Sequence, residues 1–386
     1  MKALQGVKVL DCTHAVAGPW ASMILADLGA DVIKIEPVEG ARFRFKLPNY
    51  TPWDIVNRNK RAIAVDIHKV EGQQVIQALS KQADVFIENF RPGVLDKKSL
   101  GYTHLSALNK GLIYCSISGF GHDGPYRKRG AMDLITQAIS GIMSYIGPRG
   151  STAPNSTGLP LSDLTAGTYA AVGILAALHH RHATGEGQHV ETTLQESALA
   201  YTLWESASVL HGGASPKPRG TRSTITTPYE AYKAKDSYLV VAIPSEYLWG
   251  KFCEGIEAVH LKTDPRYLDR SQRMPNRDAL QADIEIALAT QTATYWSAQL
   301  TALGVPSAPV NNMAAALQDP QIKARGMIET IDGQSYLRVP IKMSKTPVGI
   351  SRPAASIGEH SQEVLKEAGF SEEELVALMG NKIVKG

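Results

Sequence analysis

Asp163 stands between the Gly/Pro-rich segment STGLPLS and the run LTAGTYAAVGILAAL, whose composition is that of a helix. A carboxylate at a helix start faces free backbone N–H groups and the positive end of the dipole, both of which favour its ionised form. Such a group can attack an activated acyl carbon and carry a covalent acyl intermediate. The same position also suits a plain helix cap, supplied by Asp163 or by Ser162. Local sequence leaves both roles open. Other chemistries lack their residues. Residues 11–19 (DCTHAVAGP) hold one glycine before a predicted helix, so this segment lacks GxGxxG although Glu36 ends the second strand-like run. GxxxxGK[ST], HExxH and GxSxG do not occur. His179, His180 and His182 fall at a predicted helix end, where cationic side chains complement the dipole. Cys12, Cys115 and Cys253 are far apart without CxxC spacing. They read as thiols of a reducing compartment, with no disulfide frame and no metal site expected.

The elements that must position such a carboxylate follow from periodicity. Val7–Leu10, Ala30–Ile35, Ala62–Ile67, Val85–Ile87 and Leu112–Ile117 are short apolar runs, and helical spacing lies between them. Alternation of this kind predicts an α/β fold with a parallel sheet covered on both faces. Helices are expected over about 131–145, 164–182 and 195–211. Residues 147–162 are rich in Gly, Pro, Ser and Thr and read as a long surface or active-site loop. Residues 212–228 have linker composition. A hairpin turning at Lys235-Asp236-Ser237 then opens a smaller α+β unit. The expected organisation is 1–211 as the first part of a large domain, 212–228 as linker, 229–310 as the small domain, and 311–386 as linker and tail.

The chain has 386 residues, long enough for two or three domains. Forty Lys+Arg against 37 Asp+Glu give a net charge of +3, which argues against a dedicated nucleic-acid binder. A local basic patch for a phosphorylated ligand remains compatible with that balance. The N-terminus enters a strand pattern without an apolar signal segment, and the apolar stretch Tyr169–Leu178 is interrupted by Gly173. A soluble cytoplasmic protein without a membrane partner is expected.

Five blocks, in order, carry a family resemblance. They are GVKVLDCTHAVAGPWASMILADLGADVIKIEP, NRNKRAIAVD, DVFIENFRPGVL, ISGFGHDGPYRKRGAMDLITQAISG and GLPLSDLTAGTYAAVGILAALHHRHATGEGQHVETTL. Together they resemble the family III CoA-transferases, the group of formyl-CoA and carnitine CoA-transferases, with the α-methylacyl-CoA racemases as a sister branch. The match spans about residues 4–200 and, more weakly, 300–345. The resemblance implies a Rossmann-like large domain built from the N-terminal half plus the C-terminal tail, with a smaller domain between. It also implies ring-shaped subunits interlocked as a homodimer. Asp163 falls on the family's catalytic aspartate, which forms an aspartyl–acyl anhydride and then an aspartyl-CoA thioester. Ala15, Val16 and Ala17 match the loop beside the thioester, and Met132 and Asp133 also fall near the intermediate. Arg58, Lys60, Arg61, Asn89 and Phe90 fall where the family contacts CoA, Val65 and His68 at its adenine end, and Lys97 at a phosphate. Arg91 is a candidate by charge. The partners are then an acyl-CoA and a small carboxylic acid, with no permanently bound cofactor.

Departures refine the expectation. The racemase branch has AGHD where this chain has GAMD, so Met132 replaces a histidine base, and a thioether accepts no proton near neutral pH. That favours transfer over the isomerase alternative; a non-catalytic CoA-binding protein is the third reading. Val16 stands where formyl-CoA transferases carry Gln, and residues 212–245 lack their tetraglycine loop, which weakens a formate or oxalate assignment. Arg42 and Arg44 suit the second carboxylate of a dicarboxylate acceptor, although CoA phosphate binding or solubility explains them more simply.

Overall fold

The computed structural model describes residues 1–386. The chain divides into two compact units, the first made of residues 1–146, 153–216 and 325–386, the second of 147–152 and 217–324. The second unit therefore begins earlier and ends later than the 229–310 read from composition.

The first unit is built on a sheet whose strands are β1 (Lys8–Cys12), β2 (Asp31–Glu36), β3 (Lys60–Val65), β4 (Val85–Glu88), β5 (Ile113–Ser118), β6 (His189–Thr193) and an edge strand near the C-terminus (Val384–Lys385). From that edge the order is C-terminal strand, β3, β2, β1, β4, β5, β6; all pairings are parallel except the C-terminal strand on β3. This is the doubly wound order, with its topological switch between β1 and β4. β1, β3, β4 and β5 are buried over almost their whole length, as strands covered on both faces must be. Sequence periodicity did not reveal β6: HVETT is short, polar and half-exposed at the sheet edge, so it lacks the apolar run of the others.

Two helices bring the site together. α1 (Ala17–Asp27) follows β1, and α6 (Leu161–Thr184) packs across it. α6 is long and apolar enough to cross a membrane by length and composition alone, but its small-residue stripe lies in the core against α1. Ala166, Gly167, Ala170 and Ala171 are buried there. A Cβ on Gly167 would come 2.3 Å from the Ala17 carbonyl oxygen, so only glycine lets the two backbones approach. Trp20 Nε1 donates to Thr168 Oγ1 at 3.1 Å one residue further along.

Some expected helices are shorter. α5 spans Asp133–Ile139 and stops before Gly141, whose φ of 84° is left-handed. The helix read over 195–211 is two, α7 (Leu194–Ala200) and α8 (Leu203–Leu210), broken at Leu203 with φ 20°. The tail returns to the sheet through Asn59, whose side chain bonds Gly349 O and Ser351 N, and through the C-terminal strand. It also carries the hairpin Ile328–Ile331/Gln334–Leu337.

The second unit has a three-stranded antiparallel sheet, Tyr229–Lys233, Tyr238–Ala242 and Ser307–Pro309. Helices Glu246–Gly255, Arg277–Leu288 and Ala293–Ala302 cover one face, burying Tyr232, Trp249, Phe252, Leu280 and Trp296.

The strand ends are tied by charge. Asp11 on β1 is 0% exposed and accepts from Lys34 Nζ at 2.9 Å and Lys60 Nζ at 3.0 Å, lysines of the adjacent β2 and of β3 beyond it. Ser22 of α1 and Thr13 complete its shell. Burial alone would raise its pKa, but the two ammonium groups and the hydroxyls outweigh burial and hold it well below the usual carboxylate range. Asp11→Ala leaves two buried ammonium groups without their carboxylate and is expected to cost about 3–5 kcal/mol. Gly167→Val is expected to cost about 1–3 kcal/mol through overpacking. Urea midpoints at pH 7 check the order; a neutral Asp11→Ala would contradict it.

Candidate functional site

The carboxyl ends of β1, β2, β3 and β4 surround a cavity of about 620 Å³. Its walls are Cys12–Ala15 after β1, Glu36–Val38 after β2, Val65–His68 after β3 and Phe90 after β4, with Trp53 and Asn57 from α2 (Pro52–Asn57). A crevice at the switch point, mostly apolar with few polar groups, is the usual ligand site of this topology. Of the sequence candidates, Ala15, Val65, His68 and Phe90 line it. Asn89 stands just beside, exchanging hydrogen bonds with the His14 backbone, N–H to Oδ1 and Nδ2 to O, both at 2.8 Å. His14 meets Phe90 edge to face at 5.1 Å.

The loop Thr13–Ala17 runs from this cavity to α6. Ala15 adopts φ 59°, a left-handed turn that sends the chain from the cavity wall into α1. On its other side Ala17 O touches Gly167. Gly167 is four residues after Asp163, one turn further along the same face of α6, and Asp163 itself does not line the cavity.

Asp163 itself occupies the first turn of α6, half-buried, and no hydrogen bond is made to its carboxylate. The capping role is taken elsewhere. Asp133, half-buried at the start of α5, accepts from Ser162 N–H at 2.8 Å and from Gln137 Nε2 at 2.7 Å. The N-cap of α6 is Pro160, which supplies no side-chain acceptor. Burial, and then repulsion from Asp133, push the Asp163 carboxyl up to about 7. This reverses the expectation that the helix terminus would favour its ionised form. A poorly solvated, unpartnered carboxylate is a stronger nucleophile than a capped one. Met132 is 72% exposed at the N-cap of α5 and brings no base to this position.

The basic candidates divide sharply. Arg58 is 3% exposed and pairs with Asp27 at 2.8 Å, while Lys60 pairs with Asp11. Arg61 bonds Asp31, Glu363 and Glu367 at 2.6–2.8 Å, and these hydrogen bonds raise its pKa against the effect of burial. The NRNKR segment therefore braces the first unit, its charges meeting carboxylates of the chain itself. Arg91 and Lys97 are exposed. Arg44 binds Glu36 through two bonds at 2.8 and 2.6 Å and lies 4.0 Å from the Trp53 ring, so it is spent inside the wall. Arg42 is exposed at the rim.

Sequence reasoning missed two groups. Trp53 is 3% exposed, and its Nε1 has no acceptor although the ring lines the cavity. Lys98 Nζ reaches His68 Nδ1, a residue of the cavity wall, at 3.1 Å. The signal for Lys98 was its place beside Lys97; Trp53 carried none beyond its size.

Residues 4–361 match the family model described as CoA-transferase family III. The chain is 34% identical to the human succinyl-CoA:glutarate CoA-transferase, over 95% of this chain and 86% of that protein. It is 36% identical to the succinyl-CoA:mesaconate CoA-transferase of Haloarcula hispanica, over 96% of this chain and 97% of that one. A crystal structure of a CaiB/BaiF family protein from Brucella suis superposes with TM-score 0.88 at 35% identity, covering 95% and 99% of the two chains. The chain belongs to the family III CoA-transferases, enzymes that move CoA between carboxylic acids.

Proposed function

We propose that Asp163 is the nucleophile of this transfer and that the cavity at the ends of β1–β4 holds the CoA portion of the substrate. The observation that carries the reading is the half-buried, unpartnered Asp163 carboxylate, in the first turn of the helix against which the cavity loop packs at Gly167. An Asp163 oxygen attacks the thioester carbonyl and expels CoA thiolate, giving an aspartyl–acyl anhydride. The thiolate attacks the aspartyl carbonyl, releases the donor carboxylate and leaves an aspartyl-CoA thioester. The acceptor carboxylate attacks that thioester, expelling the thiolate again. The thiolate then takes the acceptor's acyl carbon and frees Asp163. No proton or electron is consumed, and the acyl activation passes on intact provided water is kept away.

In this reading Val65, His68 and Phe90 line the CoA portion, and Asn89 holds the His14 side of the loop. Arg42, Arg91, Lys97 and Lys98 supply rim charge for phosphates, the work first expected of Arg58, Lys60 and Arg61. The names of the relatives support a dicarboxylate among the acids exchanged, and Arg42, unlike Arg44, is free to meet a second carboxylate. Three buried, unpaired cysteines suit a reducing, cytoplasmic setting. The subunit pairs as a homodimer of the interlocked kind that the resemblance implies. Support comes from the large apolar side chains that α5–α8 leave exposed, among them Met132 (72%), Val172 (58%), Trp204 (67%) and Leu210 (83%).

Asp163→Asn is expected to lower kcat by roughly 10³-fold or more, and no hydroxylamine-sensitive acyl or CoA adduct should form on it. Full turnover in that variant ends the nucleophile assignment. In the wild type, activity falls as pH drops below about 7, where Asp163 takes up a proton. The same shift has a stability sign. The folded pKa lies above the unfolded value, so the ionised carboxylate costs stability above about pH 7 and ceases to do so as pH falls through 7 towards 4. Asp163→Asn should therefore melt higher than the wild type at pH 8, and the gap should close towards pH 4. Trp53→Phe keeps an aromatic ring, though a smaller one, and deletes the unpartnered N–H; KM for acyl-CoA should rise about fivefold or more, at least the worth of one hydrogen bond. Light scattering coupled to gel filtration should give twice the 41.7 kDa chain mass; a monomer removes the dimer.

A further inference from the structure

Glu88 ends β4 immediately before the Asn89–Phe90 turn and is 4% exposed. Its Oε2 accepts the Phe90 backbone N–H at 2.8 Å. The Ser116 hydroxyl, opposite it on β5, donates to the same carboxylate and lies 2.9 Å from His189 Nε2. The network assigns that nitrogen as the donor to Ser116. His189 in turn stacks on Tyr102 at 5.0 Å and meets His122 at 5.6 Å, whose Nδ1 lies 3.2 Å from Glu191 Oε1. These groups surround a separate cavity of about 200 Å³ at the ends of β4 and β5.

The mechanism proposed above uses none of them, yet they end on the turn that it needs. The turn is held at two points: Asn89 grips the His14 backbone, and Glu88 grips Phe90 N–H. We propose that Glu88 is a positioning residue for acyl-CoA binding: its carboxylate, oriented by Ser116 and His189, fixes Phe90 against the main cavity and, through Asn89, the Thr13–Ala17 loop. This rests on the reading of that cavity as the CoA site. A charge-assisted bond to a backbone N–H is about twice as strong as a neutral one, so the hold depends on the charge of Glu88. The groups facing it are Arg91 and Asp96 from the segment after β4, Tyr102 at the start of the helix Tyr102–Leu108, Tyr114 and Cys115 on β5, His122 in the loop after β5, His189 and Glu191 on β6, and Cys12 on β1. Burial raises both thiols and the Tyr114 hydroxyl, which stay neutral, and lowers His189. Burial also pushes Glu88 up to about 6, with Ser116 and Phe90 N–H acting against it. Below that pH the carboxyl is neutral and its grip on Phe90 weakens.

The test measures KM for acyl-CoA, KM for the acceptor acid and kcat between pH 5 and 8 for the wild type, Glu88→Ala, Glu88→Gln, Ser116→Ala and Phe90→Ala. Glu88→Ala should raise KM for acyl-CoA about tenfold at pH 7.5 with a much smaller change in kcat. Ser116→Ala should move KM in the same direction by less. Glu88→Gln keeps an acceptor for Phe90 N–H but not the charge, so at pH 7.5 its KM should already stand near the level the wild type reaches below pH 6. Its KM should remain flat below pH 6, where that of the wild type climbs. A Phe90→Ala enzyme with raised KM beside an unaffected Glu88→Ala enzyme overturns the Glu88 role alone. An unaffected Phe90→Ala enzyme overturns the cavity reading and the Glu88 role together. Should Glu88→Ala not fold, the Glu88→Gln profile decides: a wild-type climb in KM below pH 6 rejects the proposal.

Discussion

The buried carboxylate of Asp11 is the interaction on which the rest of the first unit depends. A parallel sheet covered by helices has no water with which to solvate a charge, so Asp11 must be met by opposite charge and by hydroxyls. It is met from three elements: Lys34 on β2, Lys60 on β3 and Ser22 on α1. Lys34 Nζ also bonds Thr13 O at 2.5 Å, and Lys60 Nζ bonds Pro19 O at 3.0 Å. One ion cluster thus fixes the direction in which the chain leaves β1. That segment is the loop whose near side walls the cavity and whose far side touches α6.

Carboxylates elsewhere around this loop are differentiated by what they touch. Asp133 spends itself on the orphan N–H of Ser162 and on Gln137. In doing so it leaves Asp163 without a cap to make and adds a like charge beside it. Glu36 is neutralised by Arg44, and Asp27 by Arg58. Asp163 alone in this set has neither cation nor N–H, and it is the one whose pKa climbs to about 7. Reactivity here is a matter of withheld partners rather than of residue type.

Much of the fold was legible in the chain. The short apolar runs mark β1–β5 because buried parallel strands need no polar face, and Asp163 is marked by its place between a Gly/Pro-rich segment and a helix. What could not be read was pairing at a distance. In NRNKR three cations in four residues look like a phosphate cradle, but Asp27, Asp11 and Asp31 stand 31, 49 and 30 residues away in sequence and reach them only once the sheet is formed. The strand β6 was hidden because its polar residues sit at an edge, and the two-helix break at Leu203 because periodicity does not report φ.

Sequence alone therefore determined the alternation of strand and helix, the family by its ordered blocks, and the residue on which the chemistry was expected to fall. Those are local or collinear properties, written in spacing. The tertiary structure decided which charges are free. It committed Arg58, Lys60, Arg61 and Arg44 to internal carboxylates, and it gave the cap of α6 to Asp133. It also put Glu88, Ser116 and His189 side by side from three strands. Electrostatic roles depend on distance and on exclusion of water, and neither exists until the chain has folded.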